Sequence, residues 1–484
     1  MAAATTLFWH DYETTGADAR RDRPLQFAGL RTDEDLNPVG EPRVLYCQPP
    51  RDLLPAPAAC AITGIGPERA CAEGLGEAEF AAAVLEELAV PGTCGVGFNS
   101  LRFDDEVTRH LLWRNLHDPY AREWRDGNSR WDVIDTLRLA RALRPQGLAW
   151  PDHADGTPSF RLEDLARANA IEHDAHDALA DVYATIELTR RLRAAQPRLY
   201  DFVYGERAWQ RIARRLDPAA GEPVLHVSEK FPASRGCIAP VAAVAAHPFK
   251  AKSVIVADLD ADPAPLLEHD AEAIAAALFT PASERDPGTP AIPLKEVALN
   301  RVPVVVPLNT LDAAAAERLA LDPARARDHL ARLRASTGLA DKLRAVYAHP
   351  PAAEADADVA LYAGFVGDAD RARMDAVHRR APAELAGFDP GFEDARLREL
   401  YFRYRARNWP GTLGGDEAER WRELRWQRLC RGAAGSPRAL AGFREALAAG
   451  RESGLVAARL GAELEAWADT LLADLPACNG NGDA

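Results

Sequence analysis

LFWHDYETTG, residues 7–16, is the stretch on which the reading of this chain turns. Leu7, Phe8, Trp9 and Tyr12 are strand formers, and Gly16 marks where the strand breaks. Alternate side chains of a strand leave the same face, so Asp11 and Glu13, two apart, stand side by side. Two carboxylates in such apolar surroundings are costly unless a cation neutralises them. Taken alone, the pair reads more simply as solvated acids at an exposed strand end.

Outward from this stretch, strands and helices alternate to residue 196. PLQFAGLRTD (24–33) reads as the neighbouring strand, GEAEFAAAVLEELAV (76–90) as a helix and TCGVGFN (93–99) as a strand. DDEVTRHLLWRNL (104–116) is helical, WDVIDTLRLARAL (131–143) passes from strand to helix, and SFRLEDLARANA (159–170) and DALADVYATIELTRRLRAA (177–195) close the region as helices. This alternation predicts an α/β domain over 1–196. Short β-rich runs follow (EPVLHVSEKF, SVIVADLD, LKEVALN and VPVVVPLN between 222 and 309), giving a small β-rich domain within 197–350. HPPAAEADAD (349–358) reads as a linker, residues 351–476 as a helical domain, and 477–484 as a disordered tail.

Three weak signals combine into a strong one. Asp11 and Glu13 come first; Asn99-x-x-x-Phe103-Asp104 follows an apolar strand about ninety residues on; His176-x-x-x-x-Asp181 opens the last helix of the domain. Singly, Asp104 is a helix cap, Asp181 a solvated helix position and His176 a surface residue. In order and in suitable local structure, they form a catalytic set. Four carboxylates are hard oxygen ligands suited to two magnesium ions about 4 Å apart, which hydrolyse a phosphodiester by supplying hydroxide and stabilising the leaving oxygen. Asp11, Glu13, Asp104 and Asp181 would hold the metal, with manganese as a substitute. His176 would act as general base, since imidazole titrates near neutrality.

HDYETTG (10–16), RFDDEVTR (102–109) and AHDALADVY (175–183) resemble the DnaQ-like (DEDDh) exonuclease superfamily. DRPLQFAGLRTD (22–33), NSRWDVIDTLRLARALRP (128–145), SFRLEDLARANAIEH (159–173) and RARNWPGTL (405–413) are similar to its bacterial exodeoxyribonuclease I family. The resemblance implies a ribonuclease H-like exonuclease domain with a mixed sheet, an SH3-like domain and a C-terminal helical domain. It implies processive 3′→5′ removal of 5′-mononucleotides from single-stranded DNA, in DNA repair and recombination. On the same ground Glu13, Arg161, Arg109, Tyr120, Trp124 and Arg138 match positions that touch the strand. The implied partners are single-stranded DNA and the tail of single-stranded DNA-binding protein, and the implied state is a monomer. The alternatives are a DEDDh ribonuclease or proofreading exonuclease, typically little more than one domain, and a non-catalytic single-strand-binding scaffold. The full acid set argues against the scaffold.

Charge and composition bear on the partner. The 484-residue chain has a net charge of −15, which alone argues against nucleic acid. Its basic residues are almost all arginine, with lysine only at 230, 250, 252, 295 and 342. Nine arginines at 102–150 interleave with Trp113, Tyr120, Trp124, Trp131 and Trp150, as a single-strand groove requires, or else they pair with the eight acids of the same segment. Ten more at 396–432, against five acids, are read partly as packing and partly as phosphate contacts, with Arg405 and Arg407 assigned to phosphate. No apolar run is long enough to span a bilayer, and the candidate motif begins too early to leave room for a signal peptide. Seven cysteines without a CxxC pair predict neither a zinc site nor a disulfide framework, so the expected compartment is a reducing cytoplasm.

Overall fold

A computed structural model describes residues 5–173, 177–286, 288–348 and 356–478. The chain divides into two compact units. One comprises Met1–Ser129, Asp174–Tyr183 and Ala353–Ala484, and the other Arg130–His173 and Ala184–Ala352.

In the first unit, β1 (Thr6–Thr14) pairs antiparallel with β2 (Pro24–Thr32), which pairs antiparallel with β3 (Arg43–Tyr46). After the helix α1 (Glu77–Leu88), β4 (Thr93–Gly97) lies parallel to β1 on its other side, so the sheet is mixed, as expected. The register sets Asp11 opposite Ala28 and Glu13 opposite Gln26, and slips between Glu13 and Thr14. Phe8, Tyr12 and Phe27 pack with Phe80, Val84 and Leu88 of α1 and with Val107 and Leu111 of α2 (Asp104–Arg114). That layer anchors the middle of β1 and leaves its far end to carry acids. The helix α3 (Ala178–Ala195) starts in this unit and ends in the other.

Four later helices, α4 (Ala395–Asn408), α5 (Gly415–Arg431), α6 (Leu440–Glu452) and α7 (Ala458–Leu472), belong to the same unit. The second core of the unit joins Ala78, Trp113 and Leu116 to Met374, Leu397, Leu400 and Tyr404, and the Trp113 indole N–H donates to the Ala357 carbonyl at 2.8 Å. A third places Leu54 and Cys60 against Phe443, Leu447 and Leu464.

The arginine-rich segment does not meet the expectation placed on it. The Arg407 side chain is buried, 2.7 Å from Asp52 and 2.6 Å from Asp358; Arg23, Arg403 and Arg428 also pair with Asp358, at 3.1, 3.2 and 2.7 Å. Arg405 is buried against Glu417 and lies over the Tyr401 ring. Both are therefore packing residues rather than phosphate contacts: the fully enclosed Asp52 and Asp358 neutralise Arg407, and the part-exposed Glu417 neutralises Arg405. Asp358, which falls in the stretch read as a linker, is fully buried at the centre of this network. Despite burial, which raises it, the guanidiniums of Arg407, Arg403, Arg428 and Arg23 hold its carboxyl well below the usual carboxylate range.

The second unit opens with the end of β5 (Ser129–Asp132) and the helix Val133–Leu143. Its own sheet is antiparallel, in the order β10-β6-β7-β8-β9, built from β6 (Val224–Val227), β7 (Ile238–Ala246), β8 (Ser253–Asp258), β9 (Leu294–Ala298) and β10 (Val305–Pro307). The helices Pro323–Ala335 and Leu339–Val346 cover one face through Leu330, Leu333 and Leu343. β7, the middle strand, has no counterpart in the sequence reading, since its IAPVAAVAA is alanine-rich and alanine favours helix.

A disulfide joins Cys430 to Cys478, with Cα atoms 5.2 Å apart, whereas no disulfide was expected from the cysteine spacing. The pairing depends on the chain's return past α5, which spacing does not reveal. Residues 479–484 of the expected tail lie outside the described residues. No helix among the described residues is long and apolar enough to cross a membrane.

Candidate active site

The centre of β1 is sealed by aromatic packing, and its C-terminal half emerges with Asp11 and Glu13 on one face. The first turns of α3 bring Asp181 to the same place: carboxylate oxygens of Asp11, Glu13 and Asp181 lie within 4.8 Å of one another. Asp104 joins from α2. It occupies the first helical position, and no side chain caps that helix. Its carboxylate instead accepts the Tyr12 backbone N–H at 3.1 Å, between the two acids of β1. The capping reading of Asp104 is thus replaced by a contact to the strand.

The electrostatics follow from this crowding. Burial first, then the carboxylates of Asp104, Asp181 and Glu13, push the Asp11 carboxyl well above its usual range. Glu13 is pushed up to about 8, by burial and by Asp181 and Asp104. Neighbouring acids raise both groups, so a cation at this point would relieve repulsion already present in the fold. The oxygen-only donor set fits a hard divalent ion such as magnesium. His10, on the same strand, is fully buried and lowered by that burial to about 4, so it stays neutral in the core. His176, the expected general base, lies outside the described residues.

The expected strand-contacting residues are differently placed. Trp124 is 63 % exposed with Arg125 over its ring, and Tyr120 is half-buried above Arg109. Arg109 is buried and held by Glu106 at 2.8 Å and Glu123 at 2.7 Å. Arg114 and Arg122 pair likewise with Glu77 and Asp105, while Trp113 and Trp131 are core residues. Much of the 102–150 arginine charge is therefore spent on acids. In the second unit, Arg161 is exposed and 2.6 Å from Glu163, whereas Arg138 is buried against Asp135 and over Phe160. Sequence reasoning missed Tyr362, whose hydroxyl donates to Glu106 at 2.6 Å and accepts from Arg109 at 3.2 Å. Nothing in its stretch of sequence announces a partner some 250 residues away.

Three family models match the chain: Exonuclease over residues 8–189, Exonuclease I SH3-like domain over 207–349, and Exonuclease I C-terminal domain over 355–471. Exodeoxyribonuclease I of Escherichia coli (strain K12) is 45% identical over 426 residues, 87% of this chain and 90% of that protein. The Haemophilus influenzae enzyme is 42% identical over 434 residues, 89% and 92% of the two chains. Among solved structures, an exonuclease I from Methylocaldum szegediense superposes with a TM-score of 0.92 at 49% identity, over 97% of this chain and 100% of that one. E. coli exonuclease I in complex with a dA16 oligonucleotide gives 0.90 at 42%, over 96% and 100%. Two more, a zinc-bound E. coli complex with single-stranded DNA and an SSB/exonuclease I structure, give 0.91 and 0.89 at 41%, each over 97% of this chain and 100% of the other. An acid cluster built on a mixed sheet, three matching domain models and relatives similar along nearly the full length agree: this chain belongs to the exodeoxyribonuclease I family.

Proposed function

We propose that this exonuclease removes 5′-mononucleotides from the 3′ end of single-stranded DNA, using two magnesium ions held by Asp11, Glu13, Asp104 and Asp181. The convergence of three carboxylates within 4.8 Å, with Asp104 tied to the strand between two of them, carries this reading. The bound ions would supply a nucleophile at neutral pH and offset charge on the leaving oxygen. The chain itself contributes position. β1 fixes Asp11 and Glu13, α2 fixes Asp104, and α3 fixes Asp181. His176 takes the proton from the attacking water, and Glu13 also contributes to holding the DNA strand.

Trp124 and Tyr120 offer stacking faces, and Arg161 offers charge to the phosphates. Arg109 and Arg138 complete the set; each is held by an acid, so their share is to orient Tyr120 and Phe160. The oligonucleotide complex of the E. coli relative supports single-stranded DNA as the substrate, and the SSB/exonuclease I structure supports the tail of single-stranded DNA-binding protein as a partner. The enzyme works as a monomer in repair and recombination, in a cytoplasm that would keep Cys430 and Cys478 largely as thiols, with domains at 1–196, 197–350 and 351–476. Incubating 5′-labelled single-stranded DNA, RNA and duplex with magnesium or chelator tests the reading. The expected result is a ladder shortening from the 3′ end of the DNA strand alone, and only with metal. Equal digestion of RNA, or shortening from the labelled end, would overturn it.

A further inference from the structure

Glu13 sits at the last regular rung of the β1–β2 ladder, and the register slips immediately after it. What fixes this end of the strand is therefore the loop that follows. Within the loop, the Thr14 hydroxyl donates to the Gly16 carbonyl at 2.7 Å, and the Thr15 hydroxyl donates to Asp22 at 3.0 Å. Thr15 N–H donates to the Arg23 carbonyl at 2.8 Å, and Asp18 N–H donates to Asp22 at 3.0 Å. Asp22 is thus the hub of the loop, and it is almost fully buried.

The counter-charge for that hub comes from more than four hundred residues away. Arg438, between α5 and α6, reaches Asp22 with Nη2 at 2.8 Å and donates from Nη1 to the Leu54 carbonyl at 2.6 Å. The loop backbone presses directly on this pair. A Cβ placed on Gly16 would lie 2.5 Å from Arg438 Nη2 and 2.5 Å from Asp22 Oδ2, so any side chain here would displace the pair.

We infer that Arg438 is a positioning residue for hydrolysis, clamping the loop that ends β1 so that Glu13 stays within reach of Asp11 and Asp181. The helical C-terminal segment thereby acts on the metal site through this loop. Partners that orient metal ligands typically alter metal affinity or activity by about 10- to 100-fold when removed. A ligand shifted by about 1 Å can cost a similar factor in rate.

The inference rests on the proposed metal role of Glu13, and its test separates the two. Manganese binding to the DNA-free full-length protein is titrated for wild type, Glu13→Gln, Arg438→Ala, Arg438→Lys and Gly16→Ala, and kcat and KM are measured on single-stranded DNA. Binding that Glu13→Gln leaves unchanged would defeat the metal role itself. Given that loss, Arg438→Ala and Gly16→Ala are expected to weaken manganese binding about tenfold and lower kcat by at least as much. KM should stay within about twofold, and Arg438→Lys, which keeps the charge on Asp22, should recover part of both losses. Should Arg438→Ala fail to fold, Gly16→Ala and Arg438→Lys decide the matter. Metal affinity and kcat within twofold of wild type in the folded variants, or a loss confined to KM, would overturn the positioning role.

Discussion

Glu13 keeps its proton to about pH 8 in the metal-free fold because burial and its acidic neighbours disfavour the charge. In the unfolded chain the same group ionises near its ordinary value, about 4.5. Between these two pH values Glu13 binds more protons in the folded state than in the unfolded, so its own contribution to stability is complete below about 4.5 and is lost as pH rises towards 8. Magnesium competes with those protons, and its stabilising effect should grow over the same window. Melting curves of wild type and Glu13→Gln in chelator and in magnesium, from pH 5 to 8, isolate both trends by difference; a magnesium shift that is flat across the range would contradict them. A second expectation concerns His176. Replacing it by Ala should lower kcat by about 10²- to 10⁴-fold with little change in DNA affinity, and raising the pH should restore part of the rate. Steady-state kinetics over pH test this. The acids of β1 were legible in the sequence because strand periodicity is fixed at two. Asp104 and Asp181 were legible only through the order of the motifs, since each alone has a commoner explanation. Nothing in sequence told that Asp104 would bond the Tyr12 N–H, or that Arg438 would stand behind Gly16, because both contacts depend on the closed fold.

Among the elements, α4 and α5 show where residue composition misleads. Their arginines suggested a phosphate surface, yet Arg403, Arg405, Arg425 and Arg428 are buried and Arg407 is nearly so. The partners that decide this, Asp52 and Asp358, lie 355 and 49 residues from Arg407, beyond any local pattern. Removing one member of an enclosed ion network strands the others without compensation. Arg407→Ala should accordingly cost about 3–5 kcal/mol of stability. Arg422→Ala, on the exposed side of α5, should stay within about 0.5 kcal/mol. Urea unfolding of the two variants makes the comparison, and equal small effects would return Arg407 to the list of surface charges. β7 escaped the reading for a related reason. Its alanines prefer helix locally, and only its neighbours β6 and β8, pairing on both edges, make it a strand.

At the scale of the molecule, the α/β, β-rich and helical regions were readable from texture, but the way the first unit is assembled from three separated stretches was not. Cys430–Cys478 closes a loop of 48 residues around α6 and α7. Chain entropy assigns such a closure about 4 kcal/mol, so reductant or Cys478→Ser should lower the melting temperature of the full protein. Calorimetry with and without dithiothreitol checks this, and identical curves would show that the bond adds nothing. The Asp358 network has a consequence of another kind, in the order of birth. Translation delivers Asp11 and Glu13 well before Asp358 and Arg438, and a domain folds on the ribosome as its parts emerge. Arg23, however, shares its charge with Asp358, Asp52 with Arg407, and Asp22 with Arg438. A nascent chain exposed only to residue 200 holds the four acids proposed for the cutting centre but not Asp358, Arg407 or Arg438. Closure of those surroundings thus waits on segments beyond residue 350, made long after the acids themselves.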